Sequence, residues 1–199
     1  MNYPQFFDEV PSITVKDPLA QALGAFKNGE YEITYLEVVK AAGHSCPTVA
    51  GAYIMASEAI KFLYPEERAV RGNIKVEFAE SLQEGVAGVI GNVITHITGA
   101  TDTSGFKGLN GQFTRHSLMF FDADINSSAR FTRVDTKKSV DVNYNHSSIA
   151  TSSKMMPLMQ KLTTGTATPE EVEEFGQLWQ ERVKRIFENI DKVIEVKEF

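Results

Sequence analysis

Cysteine and basic residues are both scarce in this sequence. Cys46 is the single cysteine among 199 residues, so no disulfide can form within the chain and nothing requires an oxidising compartment. The 20 Lys and Arg residues are outnumbered by 26 Asp and Glu, which gives a formal net charge of -6. An acidic chain without a block of basic residues is not typical of nucleic-acid-binding proteins. We therefore expect a cytoplasmic protein that does not bind nucleic acid.

Long apolar segments are missing as well. No apolar run approaches the roughly 20 residues that span a bilayer, and residues 1–11 lack the basic region and apolar core of a signal peptide. We therefore expect no membrane partner. The hydrophobic fraction of 42% and the charged fraction of 23% are ordinary for a globular protein, and the length suffices for one well-packed domain.

The spacing of apolar residues predicts an α+β fold. Helices are predicted at about 18–26, 35–42, 47–64, 82–98, 154–162 and 169–190, and strands at about 73–78, 113–122, 129–134 and 139–144. The last three strands would form an antiparallel meander, so we expect a mixed or antiparallel sheet flanked by helices. We expect one domain over residues 1–199, with a lead-in at 1–34, an α+β core at 35–150 and a helical C-terminal extension at 154–199.

The segment Gly43-His44-Ser45-Cys46-Pro47 is the most informative part of the sequence. Thr34 and Glu37 have the spacing of a capping box, which predicts a helix that ends at Gly43. Proline at the first position of a helix is favourable, so Pro47 predicts the start of the next one. The two side chains that can bind a metal, His44 and Cys46, therefore lie in a short turn between two helices.

A thiol and an imidazole in such a turn indicate a metal site. If Cys46 is the N-cap of the second helix, the helix dipole favours its thiolate form. Thiolate and imidazole together suit zinc above all, although copper or iron would also fit. The same observations leave open a buried cysteine that only fills space, beside a histidine that acts as a helix cap.

Two protein ligands do not make a tight metal site, so a third is expected from elsewhere in the chain. The candidates are His96, His116, His146 and Asp102. We rank His96 first, because it lies near the end of a predicted helix and both this end and the motif adjoin loops that could converge. A histidine in the last turn of a helix can also simply interact with the helix dipole.

Three other functional interpretations remain open. Cys46 could be the nucleophile of a metal-free enzyme, with His96 or His116 as its base. The glycine-rich segment 105–111 could bind an anionic cofactor through its amides and Lys107, although a flexible connection explains it equally simply. The chain could also be an accessory interaction protein that uses its C-terminal helix and a methionine-rich face.

Four segments, taken in order, resemble the FmdE-like family of formylmethanofuran dehydrogenase components. The segment 43–47 resembles the family's His-x-Cys-Pro motif. The segment 92–101 is similar to its Asp-Ala-Ile-Gln…Thr-Gly-Cys-Thr stretch, 105–110 to its Gly-Lys-Gly-Asn loop, and 165–183 to its Ala-Thr-Pro-Glu-Glu helix. The resemblance covers about residues 35–187.

The resemblance implies an α+β domain, a homodimer and metal binding, with a link to molybdenum or tungsten enzymes. This chain has Ala100 where the family tends to carry a second cysteine, and Asn92 where it has an aspartate. Many members also carry a cysteine-rich zinc finger, and this sequence has no cysteines for one. On the family's pattern, zinc or another transition metal would be bound by His44 and Cys46, with His96 replacing the missing ligand and one position open for a small molecule or for hydrolysis.

Overall fold

The computed structural model describes residues 3–199 and shows the expected α+β fold. The helices are α1 (Pro18–Ala22), α2 (Tyr35–Ala42), α3 (Pro47–Leu63), α4 (Ala87–Thr98), α5 (Met155–Thr163), α6 (Pro169–Phe187) and α7 (Ile190–Val193). The strands are β1 (Ile13–Lys16), β2 (Glu30–Ile33), β3 (Ala69–Val70), β4 (Ile74–Phe78), β5 (Met119–Phe120), β6 (Ala129–Arg133), β7 (Ser139–Tyr144) and β8 (Ile194–Glu198).

The strands form two mixed sheets. The larger sheet has the order β5-β4-β6-β7-β8, with β4, β6, β7 and β8 antiparallel to their neighbours and β5 parallel to β4. The smaller sheet has the order β2-β1-β3. In β4 every second residue is buried, from Ile74 to Phe78, so one face of the larger sheet packs on the core.

Helix α3 lies at the centre of the molecule and packs against α4, α6 and β7. Twelve of its 17 residues are buried. Small residues on α3 allow close approach, and at Gly51 the neighbour is the ring of Tyr144: a Cβ there would lie 2.2 Å from the Tyr144 Cε1 atom. Tyr144 also donates a hydrogen bond of 2.7 Å to the Pro47 carbonyl oxygen. It therefore anchors the first turn of α3 to the end of β7.

The two helices that flank the motif have the predicted ends. The Thr34 side chain accepts a hydrogen bond from the Glu37 amide, and Glu37 bonds back to the Thr34 amide, so the capping box is formed. Gly43 follows α2 with a left-handed φ of 77°, a conformation that glycine adopts at little cost. Pro47 is the first residue of α3. The motif is therefore mounted between two rigid elements.

Several strands were not predicted from the sequence. β1 and β2 lie within the predicted lead-in, and β8 follows the C-terminal helices and pairs with β7. The single-domain division itself stays a prediction. Among residues 3–199 no helix is long and apolar enough to cross a membrane.

The predicted strand over 113–122 is wrong for most of its length, because only β5 is extended. Phe113 and Ser117 have φ values of 61° and 55°, which are left-handed conformations that interrupt a strand. The Arg115 amide instead donates to the carbonyl oxygen of Phe106 in the preceding loop. Similarly, α4 starts at Ala87 instead of residue 82, because Gly85 has a φ of 50°.

Candidate functional site

A cavity of about 240 Å³ lies between α2 and α4 and brings two of the predicted metal ligands together. We call it the two-helix cavity. His44 and His96 both line it, together with Asn92. The rest of its lining is apolar and consists of Val38, Ala41, Ala42, Val89 and Val93. Two imidazoles and one carboxamide thus face a space without a charged side chain.

The His44 ring is oriented by the backbone. Its Nδ1 atom lies 3.0 Å from the Ala42 carbonyl oxygen. Because a carbonyl oxygen only accepts, Nδ1 carries the proton and Nε2 keeps its lone pair. A histidine held by a backbone carbonyl in this way is the usual arrangement of a metal ligand. His44 is exposed, so its Nε2 atom is accessible.

His96 is exposed and lies in the last turn of α4. Partial desolvation of the ring and the positive charge of Arg71 lower the pKa of His96, although the Glu37 carboxylate acts in the opposite direction. The neutral imidazole, which is the form that binds metals, is therefore the stable form at neutral pH.

Arg71 holds the last turn of α4 from the side of the smaller sheet. Its Nη2 and Nε atoms donate hydrogen bonds of 3.0 Å to the carbonyl oxygens of His96 and Ile97. Its Nη1 atom donates to the buried carboxylate of Asp17 at 2.9 Å. A second arginine, Arg115, also pairs with Asp17, at 2.5 Å. This network fixes the backbone that carries His96, and its contacts are too distant in sequence to be predicted.

Cys46 is the N-cap of α3, as predicted, but its sulfur is turned toward the helix. The Sγ atom accepts a hydrogen bond of 3.4 Å from the Val49 amide. Cys46 is only partly exposed and does not line the two-helix cavity. Within residues 3–199 no imidazole is hydrogen-bonded to the thiol, so a histidine base for Cys46 has no structural support.

Helix α6 holds the middle of the motif. Trp179 Nε1 and Gln180 Nε2 both donate to the Ser45 carbonyl oxygen, at 3.0 and 3.2 Å. The Ser45 hydroxyl is buried and lies 2.9 Å from the hydroxyl of Tyr35. These contacts fix the turn between His44 and Cys46 without using either side chain. No local pattern in the sequence indicates them.

The other sequence candidates lie elsewhere. His116 contacts the Ser117 hydroxyl at 3.0 Å, and His146 lines a different cavity, at the end of the larger sheet. Lys107 is exposed, donates to the Thr103 carbonyl oxygen at 3.3 Å and lies outside both cavities. An anion site at Lys107 stays a prediction.

The donor set suits a metal only in part. In the part of the chain from residue 3 onward, no group of three or more His, Cys, Asp or Glu side chains is arranged to hold a metal ion. The two-helix cavity nevertheless presents two neutral imidazoles, which suit zinc, copper, iron or nickel. It therefore offers half of a metal site.

Fold and site together define a class, an α+β domain in which two helices present a His-x-Cys motif to a cavity. Residues 41–194 match the family described as "FmdE, Molybdenum formylmethanofuran dehydrogenase operon". This match covers more than half of the chain, so the chain belongs to the FmdE family. The matched region begins in the last turn of α2 and includes both His44 and His96. The comparison with curated proteins found no match.

Proposed function

We propose that this FmdE-family protein binds a transition metal, zinc first among the candidates, in the two-helix cavity. His44 and His96 are the primary ligands. Cys46 is the third ligand, supplied when its side chain leaves the Val49 amide. The observation that carries the proposal is that His44 and His96 line one cavity, although 52 positions separate them in the sequence numbering.

The state of each ligand supports the proposal. The Ala42 carbonyl oxygen leaves Nε2 of His44 free, and the lowered pKa of His96 keeps that ring neutral. Arg71 fixes the backbone of His96, and α6 fixes the carbonyl oxygen of Ser45. Ligands that are positioned before the metal arrives lose less conformational entropy on binding.

An incomplete protein shell suits binding of a small ligand at the metal, or hydrolysis, because catalytic zinc sites keep one position open. When bound, zinc supplies a Lewis acid that polarises a ligand oxygen. The chain itself contributes an uncharged cavity in which the Asn92 carboxamide can donate to or accept from such a ligand. A homodimer and a cytoplasmic location also remain predictions.

Elemental analysis tests the metal site. Protein incubated with zinc and then dialysed should retain a stoichiometric amount of metal. His44→Ala and His96→Ala should each lose it, because one imidazole cannot hold the ion alone. His116→Ala removes an imidazole outside the cavity and is the matched control. Wild-type protein that retains no metal, or equal loss in the control, would contradict the proposal.

A further inference from the structure

A second cavity, of about 280 Å³, lies at the end of the larger sheet where β4 and β7 finish and β6 begins. We call it the sheet-end cavity. Its floor is apolar and includes the buried side chains of Met55 and Phe78. Its polar lining includes Glu80 and His146. The proposed metal ligands do not line this cavity.

His146 presents a hydrogen-bond donor to the sheet-end cavity. Arg182 Nη2 lies 3.1 Å from the Nδ1 atom of His146. A guanidinium only donates, so Nδ1 accepts and the ring proton is on Nε2. Burial of the ring and the charge of Arg182 lower the pKa of His146, which keeps the ring in this neutral form. The Nε2 proton has no partner within residues 3–199, so it is free to bind a ligand.

Arg182 is a partly buried cation without an acidic partner. It forms no ion pair with the residues that the structure describes, and its Nε atom is buried without a hydrogen-bond acceptor. Desolvated charges are normally paired. An anion near His146 would compensate this charge.

Glu80 brings the opposite charge to the same cavity. Its carboxylate has no basic partner within 4.0 Å among residues 3–199, and it does not pair with Arg182. The cavity therefore has a cation behind one part of its wall and an anion on another. Between them lies the apolar floor, so the charges and the floor together match a small molecule with an anionic group, a cationic group and an apolar body.

We propose that the sheet-end cavity binds a small zwitterion with an apolar side chain, of the class of apolar α-amino acids. The carboxylate accepts from Nε2 of His146, next to the charge of Arg182. The ammonium group pairs with Glu80, and the side chain covers Met55 and Phe78. The volume suits such a molecule, since it lies just below the roughly 300 Å³ at which cavities for drug-sized ligands begin.

Chemical-shift titration with L-leucine and its two halves tests this proposal on the whole chain. Isocaproate keeps the carboxylate and the side chain, and isoamylamine keeps the ammonium group and the side chain. L-leucine should bind in the millimolar range, and each half should bind about tenfold more weakly, because each lacks one charged contact. Shifts should centre on residues of the sheet-end cavity.

Two variants assign the two charges. Glu80→Gln should remove the advantage of L-leucine over isocaproate, and His146→Ala should remove its advantage over isoamylamine. Glu66→Gln and His116→Ala change an exposed glutamate and a histidine outside the cavity, and both should bind L-leucine like the wild type. The proposal is overturned if L-leucine binds no better than isocaproate, if shifts appear elsewhere, or if Glu80→Gln and His146→Ala bind like the controls.

Discussion

The two histidine-lined cavities differ in how the chain treats the imidazole. In the two-helix cavity, a backbone carbonyl oxygen takes the Nδ1 proton of His44 and leaves Nε2 as an acceptor. In the sheet-end cavity, Arg182 donates to Nδ1 of His146 and leaves Nε2 as a donor. One type of side chain thus becomes a metal ligand in one place and an anion binder in the other. The second contact of the ring decides its chemistry.

Charge separates the cavities in the same way. No charged side chain lines the two-helix cavity, which leaves its imidazoles free for a cation that needs neutral ligands. The sheet-end cavity has Glu80 in its wall and Arg182 behind His146. Helix α4 contributes to both cavities, through Val93 and Ile90 respectively. A change that leaves α4 in place should therefore affect one cavity and not the other.

The largest expected effect comes from the wall between the motif and the sheet-end cavity. Gly51→Ala would place its Cβ 2.2 Å from the Tyr144 ring, so we expect the free energy of unfolding to fall by about 3 kcal/mol. Gly176→Ala is the matched change on α6, where a Cβ meets no atom within 4 Å, and it should stabilise the protein by about 1 kcal/mol. Urea unfolding measures both.

If Gly51→Ala were as stable as Gly176→Ala, Tyr144 would not be packed against α3 as described. Crystals or spectra of Gly51→Ala should also show a displaced Tyr144. Because its hydroxyl bonds to the Pro47 carbonyl oxygen, this displacement would disturb the start of α3 and the sheet-end cavity together.

Cys46→Ser separates the two possible roles of the motif cysteine. Serine is a good N-cap, so the free energy of unfolding of the metal-free protein should change by less than about 0.5 kcal/mol. Zinc affinity should fall by about tenfold or more, because serine is a poor zinc ligand. Competition with a chromophoric chelator measures the affinity. An unchanged affinity would mean that Cys46 serves only as a helix cap.

The smallest expected effect is a pH dependence that both cavities share. The pKa values of His96 and His146 in the folded protein lie below the ordinary value of 6.5. Below about pH 6.5 the unfolded chain therefore binds more protons than the folded one, and stability falls until the folded pKa values are reached. Near pH 7 and above, these two residues should contribute no slope.

Urea unfolding of metal-free protein between about pH 7.5 and pH 5 checks this prediction. His96→Gln and His146→Gln should each reduce the loss of stability, and the double variant should reduce it most. His116→Gln controls for the removal of an imidazole outside both cavities. A loss of stability that is the same in all variants would place its origin in other groups.

Local signals explain how much of the site could be predicted. The capping box at Thr34, the left-handed Gly43 and the first-turn Pro47 act within a few residues, so the ends of α2 and α3 agree with the prediction. The approach of His96 to His44 was proposed from the positions of two loops, and the structure places both on one cavity. The zinc itself stays a prediction.

What sequence reasoning missed depends on distant partners. Strand β8 exists because β7 offers an edge to pair with, and the direction of the Cys46 sulfur depends on the Val49 amide and on the packing around it. The role of Arg71 becomes visible only when the last turn of α4 lies beside the smaller sheet. Periodicity reports local conformation and contains no information about such meetings.

The contact between α6 and the motif also orders events during synthesis of the chain. Trp179 and the Ser45 carbonyl oxygen are 134 residues apart, and contacts between distant residues form late in folding. On the ribosome, α2 and α3 can form from their local signals as soon as they emerge. The turn that carries His44 and Cys46 then waits for translation to reach α6, so the last helices to be made are the ones that set the site.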